Sequence, residues 1–216
     1  MLPLFKNIYF FQQMEVGPFH NFTYVLGCPD TKKACLIDPG WEGQKFLDIL
    51  KKRKLKLESI LITHHHPDQT ESVLELILEK NPKIYVHENE IGRWQHLSPK
   101  VYGLKDNDTV KVGELNLKAL STPGHTTDSL CFLFDDKLFT GDTLLVGSCG
   151  RCDLPESNPS HLYHSLYTKI KSLPQKLQIY PAHHYGKTPS STLEKEFQSN
   201  PFLNMESEEE FIRFRR

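Results

Sequence analysis

A continuous apolar run, Ser59–Thr63, ends directly on His64-His65-His66-Pro67-Asp68-Gln69. In extended backbone, residues two apart face the same side. His64, His66 and Asp68 are therefore expected on one face, with His65 pointing away. Pro67 disfavours the helical region for His66 and keeps the segment extended before a helix begins. Three potential ligands on one face beyond a buried strand are what a metal site needs, and three further segments offer to complete one. Thr122-Pro123-Gly124-His125 holds a histidine on a turn fixed by Pro and Gly. Phe139-Thr140-Gly141-Asp142 puts a carboxylate just past an apolar strand, and Tyr180-Pro181-Ala182-His183 puts a histidine after a short one. Taken singly, Asp142 could cap a helix and His183 could be a core histidine. Together, these segments favour strand ends converging on one edge over separate structural roles.

The remaining pattern says what those strands belong to. Strands are expected at Ile8–Phe11, Phe22–Leu26, Ala34–Ile37, Ser59–Thr63 and Lys83–Val86, from aromatic and β-branched runs bounded by turn residues such as Asp38-Pro39-Gly40. The spacing predicts a helix from Glu42 to Lys54, and another from Glu71 to Lys80 that buries Val73, Leu74, Ile77 and Leu78. In the second half, strands are expected at Asp108–Val112, Leu115–Ser121, Leu130–Phe134, Lys137–Thr140 and Gln178–Tyr180, with helices at Pro159–Ser172 and Thr192–Ser199. The tail places acids before bases, the order that suits the dipole of a short terminal helix. Strand runs in both halves with helices interspersed fit two packed sheets covered outside by helices, an α/β layered sandwich. No repeat or linker divides the chain, so residues 1–216 read as a single domain.

Composition removes several classes of function. A formal charge of −1 over 216 residues gives no electrostatic footprint for nucleic acid or an anionic membrane. A mean hydropathy of −0.47 and the lack of a long apolar run exclude a membrane span. Five cysteines, an odd number in a chain too long for a disulfide scaffold, point to a reducing compartment. With no signal peptide at the N-terminus, the cytoplasm is expected. Cys149 and Cys152 form a CxxC, read as two small loop side chains rather than as a redox or zinc pair. The excess is in histidine, with 11 in the chain.

The ordered set THHHPD, TPGHT, TGDTLL and PAHHYG resembles the metallo-β-lactamase superfamily, most nearly its glyoxalase II and persulfide dioxygenase branch. The likeness extends over nearly the whole chain, from Glu15-Val-Gly-Pro-Phe-His-Asn-Phe-Thr-Tyr through Gly147-Ser-Cys-Gly-Arg-Cys-Asp-Leu-Pro to Ser191-Thr and Asn200-Pro-Phe-Leu. It implies a four-layer αββα sandwich. It makes His64, His66 and His125 the ligands of a first metal and Asp142 the carboxylate shared with a second. Asp68 and His183 then belong to the second metal, or orient water in its absence. The family has histidine where this chain has Gln69, and a neutral amide is a poorer ligand than imidazole for zinc. The resemblance therefore implies zinc or iron at one strongly bound site, with a weak or absent second.

The activity implied is metal-dependent hydrolysis of a thioester, like that of a hydroxyacylglutathione hydrolase, with Asp68 as the catalytic group that orients water or accepts its proton. An alternative is a mononuclear iron(II) persulfide dioxygenase drawing its triad from His64, His125 and Asp142. The CGRCD segment is partly shared with that branch, with Cys152 where threonine is usual. A third reading, supported by Gln69, is a metal-binding protein without catalysis. The partner is in each enzymatic case a small acyl or thiol substrate, and the sequence does not give the oligomeric state. Arg151 could bind a substrate carboxylate bidentately or form a structural salt bridge, and Tyr185 could touch glutathione. The chain ends 33 residues after His183, so the helical domain that completes the glutathione site of glyoxalase II is expected to be missing. Trp94, Tyr102 and Tyr163 are candidates for a pocket wall or for packing.

Overall fold

The computed structural model describes residues 9–215. Ile8, at the start of the first expected strand, and the N-terminal segment searched for a signal peptide lie outside the described residues. β1 (Phe10–Val16), β2 (Asn21–Cys28) and β3 (Lys33–Ile37) form an antiparallel meander. The chain then alternates between helix and strand through α1 (Gly43–Lys52), β4 (Lys56–Leu61), α2 (Pro67–Thr70), α3 (Val73–Lys80), β5 (Lys83–His87), α4 (Ile91–Trp94) and β6 (Val101–Leu104). These six strands make one sheet in the order β1-β2-β3-β4-β5-β6, parallel from β3 onward.

The second sheet begins with β7 (Thr109–Val112), β8 (Leu115–Ser121), β9 (Leu130–Phe134) and β10 (Lys137–Gly141). A two-stranded ribbon, β11 (Leu144–Leu145) with β12 (Ser148–Cys149), and α5 (Pro159–His164) come next. The chain closes with β13 (Gln178–Pro181), β14 (Ser191–Thr192), α6 (Leu193–Ser199) and α7 (Glu208–Arg215). The sheet order is β14-β13-β10-β9-β8-β7, with β10 and β13 parallel.

Strand periodicity sorts side chains into three apolar layers. Along β8, Leu115, Leu117 and Ala119 enter the core between the sheets, while Leu120 turns to the helices outside. On β9, Phe132 faces inward and Cys131 outward; on β3, Cys35 and Ile37 face the other sheet while Ala34 and Leu36 face α1 and α3. One core thus lies under α1 and α3, one between the sheets, and one under α5, α6 and α7, which makes the four-layer sandwich.

Two helices differ from their sequence-based outlines. α3 buries Val73, Leu76 and Ile77, whereas Leu74 and Leu78 are 49% and 78% exposed. Its roll is set upstream, where Ser72 donates its N–H to the Gly40 carbonyl at 2.7 Å. That contact turns Leu76 rather than Leu74 toward the sheet. The helix expected over Pro159–Ser172 follows one path, but only its first part is α. Ser165–Lys169 is a π turn and Ile170–Ser172 a 3-10 turn.

The sheets are joined where β4, β10 and β13 end. Gly141 pairs with Pro181 across β10 and β13, so Asp142 and His183 leave the second sheet side by side. Leu130 donates its N–H to the Thr63 carbonyl at 2.8 Å, and Phe22 donates to the Ala182 carbonyl at 2.7 Å. These bonds fasten the end of β4 and the start of β2 onto the second sheet at the same edge.

Candidate metal centre

At that edge His64, His66 and His125 each turn a ring nitrogen inward, and the three ligand atoms lie within 4.8 Å of one another. The rings meet edge to face, with centroids 4.8 Å, 5.0 Å and 4.7 Å apart around the three pairs. Nitrogens bound tetrahedrally at about 2.0–2.1 Å would stand about 3.4 Å apart, a separation that small ring movements supply. Burial holds the His64 imidazole well below its ordinary range and lowers that of His66. Both are therefore kept as neutral rings with a free lone pair.

The outward nitrogens are fixed by hydrogen bonds, which decide where the protons go. His125 Nδ1 donates to the Arg151 carbonyl at 2.9 Å, leaving Nε2 as the lone pair facing in. His64 Nδ1 lies 3.1 Å from Thr63 Oγ1, which in turn donates to Asp38 Oδ2 at 2.8 Å. Asp38 Oδ1 accepts the Thr63 N–H at 2.7 Å. With its hydroxyl proton on Asp38, Thr63 can only accept from His64, so His64 Nε2 carries the lone pair. Burial pushes the Asp38 carboxyl up to about 7 despite those two hydrogen bonds.

Asp142 and His183 stand on the other side of the cluster. Asp142 Oδ2 is 3.2 Å from His125 Nε2 and 3.6 Å from His183 Nε2, and Asp68 Oδ2 is 3.4 Å from His183 Nε2. His183 Nδ1 donates to the Phe19 carbonyl at 3.0 Å. All six expected ligands are thus brought together. Asp68 arrives by a different route from the extended face read in the sequence: α2 starts at Pro67, so the first helical turn delivers both Asp68 and Gln69. The Gln69 amide donates to His183 Nε2 at 3.1 Å and to Asp68 Oδ2 at 3.5 Å, while Asn21 donates to Asp68 Oδ2 at 2.9 Å.

Two buried atoms show what this arrangement suits. Among the described residues His64 Nε2 and Asp142 Oδ1 have no hydrogen-bond partner, and a buried polar atom left unsatisfied costs about 1–3 kcal/mol. Both belong to residues of the cluster, and a lone-pair nitrogen and a carboxylate oxygen are zinc or iron ligands. The donor set fits a metal held by His64, His66, His125 and Asp142. His65 turns away as expected: its Nδ1 meets Asp128 Oδ1 at 2.8 Å.

The centre forms the floor of a cavity of about 670 Å³. Phe19, Trp41, Leu145 and Leu154 make apolar walls, and Tyr185 stacks on His183 with centroids 4.6 Å apart. Arg151 lines the cavity but its guanidinium is held by Asp153, Nε to Oδ1 at 2.6 Å and Nη2 to Oδ2 at 2.5 Å. Gly150, between Cys149 and Arg151, passes so close over the centre that a Cβ there would lie 2.2 Å from the Asp142 carbonyl. Trp94 is buried under α3, Tyr102 stacks on Tyr85 and Tyr163 on Tyr167, so these three serve packing. Cys149 and Cys152 are free buried thiols. Sequence reasoning passed over Asp38, Asn21 and Arg215. Asp38-Pro39-Gly40 reads as a turn, Asn21 lies inside the resemblance segment Glu15–Tyr24 without a ligand-type side chain to single it out, and Arg215 has no neighbouring motif to mark it.

Residues 16–183 match the profile of the Metallo-beta-lactamase superfamily. The probable polyketide biosynthesis zinc-dependent hydrolase BaeB of Bacillus velezensis is 32% identical over 195 residues, covering 90% of this chain and 87% of that one. A probable hydroxyacylglutathione hydrolase of Schizosaccharomyces pombe is 34% identical over 202 residues, covering 89% and 75%. The crystal structure of ETHE1 from Myxococcus xanthus superposes with a TM-score of 0.88 at 32% identity, covering 95% of this chain and 89% of that one.

Proposed function

The chain belongs to the metallo-beta-lactamase superfamily, and we propose that it is a mononuclear metal-dependent hydrolase of a thioester. The observation that carries this reading is the placement of Asp68 beside three converging imidazoles. A metal held by His64, His66, His125 and Asp142 supplies Lewis acidity and makes water a stronger acid near neutral pH. Asn21 and Gln69 both donate to Asp68 Oδ2, which leaves Oδ1 to take a proton from an attacking water. The Phe19 carbonyl keeps the His183 proton on Nδ1, so His183 accepts at Nε2. The apolar walls exclude bulk water and strengthen each polar contact inside. Gln69 supports a single metal. Its amide nitrogen donates to His183 Nε2 and Asp68 Oδ2, the atoms a second cation would need, and its buried, unpartnered Oε1 is a neutral and poorer ligand than imidazole.

The alternative that the sequence resembles, an iron(II) persulfide dioxygenase, would use His64, His125 and Asp142. It leaves His66 Nδ1, 3.0 Å from His125 Nε2, without a role, and the three-imidazole set favours the hydrolase. No described helix is long and apolar enough to cross a membrane, and five free buried cysteines support a reducing compartment. Elemental analysis of protein purified without a chelating tag, followed by a thioester panel on protein reloaded with zinc, manganese or iron, tests the proposal. About one metal per chain and thioester cleavage are expected. Asp68→Asn should lower kcat by about 10²–10⁴ at unchanged metal content. Oxygen uptake with glutathione persulfide and no cleavage would replace the hydrolase with the dioxygenase.

A further inference from the structure

Two arginines line the cavity, and they differ in what balances their charge. Arg151 is neutralised by the two oxygens of Asp153. Arg215, carried in by α7, is held by neutral groups instead. Its Nε donates to Cys149 Sγ at 3.2 Å, and its Nη2 to Ser148 Oγ at 2.9 Å and to the Cys149 carbonyl at 2.5 Å. Its guanidinium lies 3.9 Å over the Phe202 ring. Among the described residues Arg215 has no ion-pair partner and its Nη1 no hydrogen-bond acceptor. Asp153, a nearby carboxylate, is already engaged. A partly buried cation with no carboxylate in contact among the described residues is under-compensated, and Arg215 lines the cavity.

The position of Arg215 relative to the centre is also fixed. Burial raises the Cys149 thiol to about 11, and on that same thiol Arg215 pulls down while Asp142 pushes up. Arg215 Nε meets Cys149 Sγ at 3.2 Å, and the next residue, Gly150, packs against the Asp142 carbonyl, so one short segment ties the cation to the candidate metal carboxylate. The cavity that Arg215 shares with the centre has apolar walls from Phe19, Trp41, Leu145 and Leu154.

We propose that Arg215 is the anion anchor of this cavity. It binds the carboxylate or phosphate end of a thioester or thiol whose apolar stem crosses the cavity and whose sulfur lies at the histidine cluster. The location of the reacting group rests on the hydrolase reading; the anchor itself does not. A guanidinium with one nitrogen free suits a carboxylate or phosphate oxygen, while the hydrogen bonds that Nε and Nη2 donate to neutral acceptors hold the fork in place.

The test is a binding titration that needs no turnover. Zinc-loaded protein is titrated calorimetrically with ω-mercaptocarboxylates of increasing length, with ω-mercaptoalkyl phosphates, and with the matching neutral ω-mercaptoamides. At one length or more an anionic thiol should bind about tenfold tighter than its amide, and the carboxylate and phosphate series identify the end group. Arg215→Gln keeps a planar donor for Ser148 and the Cys149 carbonyl. It should bring the anion down to the amide's affinity and leave the amide unchanged. Arg215→Lys, a second variant in case the first fails to fold, should retain part of the preference. Equal affinities in the unsubstituted protein, or a preference that survives Arg215→Gln, overturn the proposal. So does a preference lost instead on Arg151→Gln. Because binding is read directly, a protein that cleaves no thioester can still show the anchor, and one that cleaves thioesters can lack it.

Discussion

At the residue scale, the candidate centre depends on proton positions as much as on ligands. The chain Asp38–Thr63–His64 delivers a lone pair to His64 Nε2 only while Asp38 is a carboxylate that accepts the Thr63 hydroxyl. When Asp38 takes a proton, it can donate to Thr63 Oγ1, and Thr63 then donates to His64 Nδ1. That moves the imidazole proton to Nε2 and removes a ligand. With the Asp38 carboxyl raised to about 7, zinc uptake by the metal-free protein should strengthen as pH rises through about 7. The sign for stability is opposite. A carboxyl raised on folding stabilises the fold below its unfolded value near 4, and that contribution is lost as pH rises through about 7. Asp38→Asn donates to Thr63 Oγ1 at every pH. It should lower zinc affinity about 10–100-fold and abolish the pH step, read by chelator competition at about pH 6 and about pH 8. A pH step unchanged in Asp38→Asn would place the titration elsewhere.

Gln69 poses the complementary residue-scale question. Restoring the imidazole with Gln69→His removes an amide that donates to His183 and Asp68 and adds a ligand. Metal content by elemental analysis should move from about one toward two per chain. An unchanged ratio would show that something other than Gln69 limits the second site. His64, His66, His125, Asp142 and His183 were legible in the sequence because each follows a strand or a rigid turn, where direction is predictable. Asp38 was not, because its role depends on a hydrogen bond to Thr63, 25 residues away, that no local pattern encodes.

At the element scale, the segment Ser148–Arg151 does three tasks at once. Its carbonyl at Arg151 orients His125, its ribbon strand receives Arg215, and Gly150 lets it pass over the centre. A methyl at Gly150 would lie 2.2 Å from the Asp142 carbonyl and 2.9 Å from His125 Cβ, so either the ribbon or His125 must move. Gly150→Ala should therefore lower zinc affinity by tenfold or more. Gly92→Ala in α4 is the matched control, since a Cβ there meets nothing within 4 Å. It should raise stability by about 0.5–1 kcal/mol and leave zinc affinity unchanged. Equal effects of the two substitutions on zinc binding would contradict this role for Gly150. Most strands could be read from apolar runs, but the roll of α3 could not. Val73, Leu74, Ile77 and Leu78 form an apolar stripe as good as the one buried, and the Ser72–Gly40 contact decides between them.

At the scale of the whole molecule, the sandwich was legible because strand runs recur in both halves of the chain with helices interspersed. What the sequence could not reveal is how the two sheets depend on each other. The centre needs β4 from one sheet and β10 with β13 from the other, joined by backbone bonds from Leu130 to Thr63 and Phe22 to Ala182. The core between the sheets, with Tyr24, Phe132 and Phe139 fully buried, shares its strands with both outer cores. Three cores that share strands should melt as one unit. Both tryptophans offer a test, because Trp41 and Trp94 pack in the core beneath α1 and α3. Leu138, on β10, is buried in the opposite outer core. Leu138→Ala removes about 2–5 kcal/mol, and in urea unfolding of chelator-treated protein the tryptophan fluorescence midpoint should fall together with the far-UV circular dichroism midpoint. A fluorescence midpoint that stays put while the dichroism signal splits would mean that the first sheet and its helices hold together without the second. The metal-site edge would then be a contact between two independently folding halves.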